Sequence, residues 1–206
     1  RRYGRLMGKM LALSKSYLPA DLAWKRFAWD GQAFNEIRAL PEGDSLVVEK
    51  YIEVREHLDA LPKSSESYGL IHQDAHLGNL FVDQRGEITL FDFDDCAYSW
   101  FMHDIAIVLF YIALGQEDQA AFTREFMTHF LAGYRLENEL NQDWLQEIPY
   151  FLKLREIDLY AVIHRSFDVE NIEDPWVAMY MDKRKQRIED EVPFIDFDFP
   201  SLFSLE

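Results

Sequence analysis

Two short apolar runs, Leu80-Phe81-Val82 and Ile88-Thr89-Leu90-Phe91, flank the polar, glycine-containing break Asp83-Gln84-Arg85-Gly86-Glu87. Strand-length runs around such a break read as a β-hairpin. With a loop of two or three residues, folding the strands back sets position 79 beside position 91 or 92. Opposed residues of a hairpin carry Cβ atoms roughly 4.5–5.5 Å apart. The amide of Asn79 and the carboxylate of Asp92, thirteen residues apart in sequence, therefore meet at the open end of one hairpin. Both offer hard oxygen donors. Mg2+ prefers such donors and keeps waters and substrate phosphates in its remaining positions. One Asn and one Asp thus suit a metal carried on a nucleotide better than a closed protein cage. Asp74 precedes Asn79 by five residues, on the segment entering the same hairpin. It can face the same metal-phosphate centre and accept a proton from an attacking hydroxyl, an effect worth typically ~10²–10⁴-fold in rate.

Written out, the segment is His72-Gln73-Asp74-Ala75-His76-Leu77-Gly78-Asn79, an H-x-D-x-x-x-x-N pattern, followed by Leu90-Phe91-Asp92-Phe93-Asp94. This has the spacing of a kinase catalytic loop and its magnesium-binding segment. Residues Tyr68 to Phe81 resemble the Brenner-type loop of the aminoglycoside phosphotransferase superfamily, which includes choline kinases and type II homoserine kinases. Ile88 to Cys96 resembles its metal-binding segment, and His103-Asp104-Ile105-Ala106 its following helix start. The resemblance is carried by about residues 68–106. It implies an α+β, mostly helical fold, the C-terminal lobe of a protein-kinase-like fold with a catalytic-loop β-hairpin. It implies ATP- or GTP-dependent, Mg2+-assisted phosphorylation of a small-molecule hydroxyl. Carried over by position, Asp74 is the catalytic base, Asn79 and Asp92 are the metal ligands, and His72 and Asp104 support the loop. Asp94 and His76 lie close enough in sequence to join the metal or the loop.

A second reading of the same residues takes His72-x-Asp74-x-His76 as a Zn2+ cluster of a hydrolase, since imidazole and carboxylate together suit that ion. It leaves Asn79 and the hairpin without a role. A third takes the chain as a non-catalytic binding or regulatory remnant of the fold. A kinase also needs a cover for the phosphates and a strand-borne lysine. No Gly-rich loop precedes the motif, because Gly4 and Gly8 lie in a helical pattern, and Lys9, Lys15 and Lys25 sit in helix-like or loop segments. The expectation is that residues 1–206 form the catalytic and substrate-binding lobe, with the N-terminal nucleotide-binding lobe absent from this chain as its missing partner.

Net charge is −16. That argues against nucleic acid as a partner, because affinity for a phosphate backbone rests on Lys and Arg. The sign fits a cationic, amine-bearing substrate. The longest apolar run, Ile105 to Leu114, is ten residues, too short to span a bilayer. The single cysteine, Cys96, rules out an internal disulfide framework and suits a reducing cytoplasm. Cys96 itself reads as a small buried packing residue.

Elsewhere the pattern is helical. Tyr3 to Tyr17 carries Leu6, Met10, Leu13 and Tyr17 at helical spacing. Asp30 caps a short helix through Leu40. Asp44 or Ser45 caps another with Val48, Ile52 and Leu58 inward. Asp104 starts a buried core helix. Residues 117–134 are amphipathic on Phe122, Phe126 and Phe130, residues 143–167 form a long helix irregular near Pro149, and Pro175 opens a last helix through Glu191. The aromatic tail 194–199 either packs over an apolar face or stays mobile. The acceptor pocket falls to the C-terminal helices, where Glu156, Asp158, Tyr160, Asp174 and Trp176 are candidates. Acidic groups can hold an amine and the aromatics can stack on a cation. His164 and Glu170 are weaker candidates of the same kind.

Overall fold

A computed structural model describes residues 1–31 and 36–205 of the chain. The elements in order are α1 (Arg2–Ser14), α2 (Ser45–Asp59), β1 (Tyr68–Ile71), β2 (Leu80–Val82), β3 (Ile88–Leu90), β4 (Ala97–Trp100), α3 (Phe101–Ala113), α4 (Gln119–Tyr134), α5 (Ile148–Ser166), α6 (Pro175–Met181) and α7 (Arg184–Glu189), with short 3-10 turns between them. They divide into two compact units. The first comprises Arg1–Trp29, Pro62–Ile148 and Ile195–Glu206; the second comprises Asp30–Leu61 and Pro149–Phe194.

The first unit is centred on α3, whose residues 101–110 are all buried. A helix apolar on every side belongs inside. It starts at Phe101 rather than at Asp104, so Asp104 sits in its first turn and is free to serve another segment. Helix α1 lies directly on α4. A Cβ on Gly4 would come 1.9 Å from the carbonyl oxygen of Phe130, and one on Gly8 would come 2.5 Å from that of Tyr134. From the other side, a Cβ on Gly133 would meet the Arg1 carbonyl oxygen at 1.9 Å. These glycines let two helix backbones touch. The aromatic tail closes over this unit: Ile195, Phe199 and Leu202 are buried, and the Arg124 guanidinium stands 4.9 Å from the Phe197 ring centre. The inward face of α4 is Thr123, Met127, Phe130 and Tyr134, one position along from the expected Phe122 and Phe126, which stack on each other half-buried.

Two small antiparallel sheets complete the unit. In one, β1 pairs β4 from Tyr68 opposite Trp100 to Ile71 opposite Ala97. In the other, β2 pairs β3 from Leu80 opposite Leu90 to Val82 opposite Ile88. The second closes through a three-residue loop. Asp83 N–H donates to Glu87 O, Gly86 N–H donates to Asp83 O, and Gly86 has φ 75°. A turn followed by a left-handed residue is a standard three-residue hairpin closure, and glycine supplies the positive φ without a Cβ clash. The Asp83 carboxylate also accepts from the N–H groups of Arg85 and Glu87, each at 2.8 Å.

In the second unit α2 buries Val47, Tyr51, Val54 and Leu58. That stripe, at steps of four, three and four, displaces the expected Val48 and Ile52; Ile52 is exposed. Asp44 makes no side-chain cap to α2. Its carboxylate instead accepts from Tyr160 Oη at 2.8 Å and Lys185 Nζ at 2.6 Å. The expected helix over 143–167 is a 3-10 turn, Gln142–Glu147, followed by α5. The break falls where Pro149 must sit in the first helical turn, since it lacks an N–H to donate. The expected last helix is broken at Lys183, φ 55°, into α6 and α7. Of the short helix expected over 30–40, residues 32–35 lie outside the described residues, and a 3-10 turn covers Glu36–Ala39.

Replacing Gly4 by Ala tests the helix contact. Alanine improves intrinsic helix propensity by about 1 kcal/mol. Its methyl group would overlap backbone that cannot yield, and overpacking costs typically about 1–3 kcal/mol. The urea unfolding midpoint of Gly4→Ala is therefore expected below wild type. A midpoint at or above wild type would show that α1 and α4 can part without cost.

Candidate catalytic and metal site

The hairpin places the chemistry in the first unit. Extending the β2–β3 register outward by one step pairs Asn79 with Phe91, and Phe91 N–H donates to Asn79 O at 3.0 Å. Asp92 follows immediately, exposed and in the left-handed conformation at φ 63°. A non-glycine residue held there is uncommon, and such positions cluster at functional sites. The left-handed residue at 92 ends the strand and turns the chain away from β3.

Asn79 is buried and its amide is committed. Nδ2 donates to the Asp74 carbonyl oxygen at 3.0 Å and to Asp74 Oδ2 at 2.9 Å. With both amide hydrogens engaged on Asp74, the orientation of Oδ1 is fixed. An oriented amide oxygen on Asn79 and a carboxylate on Asp92, one residue past its strand partner Phe91, are two hard oxygen donors, a chemistry that fits Mg2+ or Ca2+ completed by waters and phosphate oxygens. Among the described residues no group of three His, Cys, Asp or Glu side chains could hold a metal by itself.

The loop that carries Asp74 is held by Asp104, His72 and Tyr3. Asp104, wholly buried in the first turn of α3, accepts from His72 N–H at 3.0 Å through Oδ2 and from Gln73 N–H at 2.8 Å through Oδ1. Gln73 has φ 67°, so a bond to a side chain holds the backbone where it would not settle unaided. Burial pushes the Asp104 carboxyl above the usual carboxylate range, while the two backbone N–H groups oppose that shift. His72 is 1% exposed. Its Nδ1 accepts from Asp74 N–H at 3.3 Å, which puts its proton on Nε2, and Nε2–H donates to Phe91 O at 2.9 Å. One imidazole therefore ties the loop to the strand that leads into Asp92. From α1, Tyr3 donates its hydroxyl to the Ala75 carbonyl oxygen. Burial, together with the nearby Asp104 and Asp74, pushes the Tyr3 phenol well above its ordinary range, so it stays a donor.

His76 caps the turn at Leu77–Asn79: Nδ1 accepts from Gly78 N–H at 2.9 Å. Its Nε2 lies 3.3 Å from Asp74 Oδ2. Both nitrogens of His72 and Nδ1 of His76 are thus hydrogen-bonded within the loop and its strand, which takes His72 away from the zinc-cluster reading. The Asp94 side chain is exposed. Its carbonyl oxygen and that of Cys96 accept from the Arg26 guanidinium, the latter at 2.9 Å. Cys96 is half-buried, and burial raises its thiol pKa. Phe81 and Phe91, diagonal across the hairpin, stack with ring centres 4.7 Å apart, and Phe81 is 69% exposed.

Tyr3, Gln73 and Arg26 escape a sequence reading. Tyr3 and Arg26 lie far from the motif in sequence, and the strain at Gln73 has no compositional mark. The buried face of α1, on which Tyr3 sits with Met7 and Leu11, was the available signal.

The five residues expected to meet an acceptor all lie in the second unit. Glu156 is fully buried, accepting from Arg184 Nη1 at 2.6 Å and Lys153 Nζ at 2.5 Å. Tyr160 is buried against Asp44. Asp174 caps α6 by accepting from Trp176 N–H at 2.8 Å and Val177 N–H at 3.0 Å. Asp158 is half-buried. Trp176 is 42% exposed and stacks on Tyr180, leaving a free aromatic face. The weaker candidate His164 is held near Asp44, and its desolvation lowers its pKa; Glu170 is exposed.

Removing the Asp104 carboxylate by Asp104→Ala leaves two buried N–H groups unpaired, at roughly 1–3 kcal/mol each. A loss of about 2–5 kcal/mol in unfolding free energy is expected, read by urea titration. A loss below 1 kcal/mol would mean that the loop is held by its other contacts alone.

The family model described as "Phosphotransferase enzyme family" matches residues 1–140. The amicoumacin kinase of Bacillus subtilis (strain 168) is 43% identical over 204 residues, covering 97% of this chain and 60% of that protein. A solved amicoumacin kinase, hAmiN, in complex with AMP-PNP, Ca2+ and Ami, superposes with a TM-score of 0.90 at 38% identity, covering 98% of this chain and 61% of the other. The choline kinase LicA from Streptococcus pneumoniae, at 16% identity, superposes with a TM-score of 0.61 over 92% of this chain and 62% of its own. The chain therefore spans about 60% of the length of the relatives it matches.

Proposed function

The chain belongs to the phosphotransferase enzyme family, and on that footing we propose that it is the catalytic part of a kinase that transfers the γ-phosphate of ATP, or of GTP, to a hydroxyl of a small molecule. The observation that carries this reading is the Asn79 amide, which donates to Asp74 through Nδ2 while its backbone carbonyl accepts from Phe91, the residue before Asp92. A base, an amide oxygen and a carboxylate are thereby fixed within one loop and one hairpin. In this reading Asp74 accepts the proton of the attacking hydroxyl. Asn79 and Asp92 hold Mg2+, and that ion, when bound, neutralises charge on the phosphate oxygens. Asp94 and His76 are neighbours of the centre rather than its ligands. The stacked Phe81 and Phe91 offer an apolar platform for a flat base beside it. The nucleotide-binding lobe that a kinase requires would correspond to the part of the relatives that this chain does not span.

The acceptor is proposed to be an amicoumacin-like, amine-bearing alcohol. Support comes from the names of the relatives at 43% and 38% identity and from the net charge of −16, which favours a cation. The exposed ring of Trp176 is the acceptor contact this reading retains first. The remaining candidates, Glu156, Asp158, Tyr160 and Asp174, already have partners. No described helix is long and apolar enough to cross a membrane; a cytoplasmic location is proposed from that and from the single cysteine.

The test is turnover of ATP–Mg2+ with amicoumacin by the full-length protein. Asp74→Asn is expected to lower kcat by roughly 10²–10⁴-fold, the range typical of general-base catalysis, with KM for ATP nearly unchanged. Unaltered turnover would remove Asp74 as the base. In the same assay Asp92→Asn is expected to raise the Mg2+ concentration for half-maximal rate by about tenfold or more, and Asp94→Asn to leave it near wild type. Equal effects at the two positions would reassign the ligand.

A further inference from the structure

The two ring nitrogens of His76 do different jobs beside Asp74. Nδ1 accepts from Gly78 N–H at 2.9 Å, so it carries no proton and the ring is the neutral Nε2–H tautomer. Nε2 then has a hydrogen to give, and it lies 3.3 Å from Asp74 Oδ2. Asn79 Nδ2 reaches that same oxygen at 2.9 Å. Oδ2 thus accepts from the Asn79 amide and has the His76 ring nitrogen beside it, both from the one loop.

The loop is shaped around the ring. A Cβ at position 78 would lie 2.6 Å from His76 Cε1 and 2.9 Å from its Nδ1, so only glycine lets the imidazole lie against the backbone there. The other side of the ring meets Tyr111 of α3, ring centres 4.8 Å apart. Backbone on one side and a tyrosine on the other leave the ring little room to turn.

We propose that His76 is a positioning residue for the catalytic base: its Nε2–H fixes the rotamer of the Asp74 carboxylate, and the Gly78 N–H selects the tautomer that makes this possible. The inference rests on the reading of Asp74 as the base. It adds a residue whose loss would slow the chemical step while leaving nucleotide and acceptor binding in place.

The two jobs can be separated by substitution. Asparagine places an acceptor where Nδ1 stands, and it is among the best capping residues, but it cannot reach Asp74. Glutamine places an N–H where Nε2 stands and gives up the cap. In the full-length protein with ATP–Mg2+ and amicoumacin, His76→Asn is expected to lower kcat about 10–100-fold, as loss of an orienting contact does, with both KM values within about twofold. His76→Gln is expected to retain kcat within about threefold of wild type. The reverse order, an active Asn variant and an inactive Gln variant, would make His76 a cap of the loop and overturn the inference. Should Asp74→Asn itself leave turnover unchanged, the base assignment fails instead.

A readout independent of turnover is the 15N spectrum of the histidine side chains. His76 should show a protonated Nε2 and an unprotonated Nδ1 near neutral pH, with the Nε2–H signal moved by Asp74→Asn. A protonated Nδ1, or a signal indifferent to Asp74, would overturn the proposal whatever the acceptor.

Discussion

The carboxylate of Asp104 is the contact on which the site rests. It sits in the first turn of the most buried helix and turns both oxygens onto consecutive backbone N–H groups, His72 and Gln73. That pairing lets Gln73 remain at φ 67° and aims the next residue, Asp74, out of the core. The arrangement is costly to assemble, since a carboxylate must be buried away from water. It is repaid because backbone donors at fixed positions are already oriented, so little is lost in ordering them. A buried anion with no partner would be intolerable; the same anion with two N–H groups becomes a rigid clamp.

From that clamp the other contacts form a chain. His72 carries the geometry of the loop to Phe91 O, Phe91 N–H returns it to Asn79 O, and Asn79 Nδ2 returns it to Asp74. The circuit joins His72, Asn79 and Asp74 to the strand end that leads into Asp92. Tyr3 adds a tie from α1, and α1 is itself held in place by the glycine contacts with α4. A methyl group added at Gly4, far along the chain from the loop, would therefore be felt at Ala75 through the tilt of one helix.

Much of this was legible because it is local. The hairpin follows from two apolar runs and a glycine-bearing break, and the register needed only the loop length; three residues put Asn79 opposite Phe91. The spacing from His72 to Asn79 is likewise a local fact. What the sequence hid is what depends on rotation and distance. On α2 and α4 the inward stripe runs through Tyr51 and Thr123 rather than the more apolar Ile52 and Phe122, while Leu58 and Phe130 face inward as their spacing predicts. The breaks before Pro149 and at Lys183 interrupt helices whose composition reads as continuous. Glu156, an attractive ligand for an amine on paper, is spent on Arg184 and Lys153 in the core of its own unit. An acidic residue on a C-terminal helix announces a charge but not the partner that has already claimed it.

The proposed chemistry asks more of position than of basicity. Phosphoryl transfer of this kind leaves little covalent work for the protein, and most of the rate must come from alignment and charge stabilisation. A carboxylate whose oxygen accepts from the Asn79 amide loses freedom to rotate. An aspartate tuned for basicity would be buried among apolar groups; Asp74 is half-exposed and surrounded by donors. Its surroundings are those of a carboxylate that is aimed, which is what an acceptor hydroxyl needs when it must arrive in line with a phosphate.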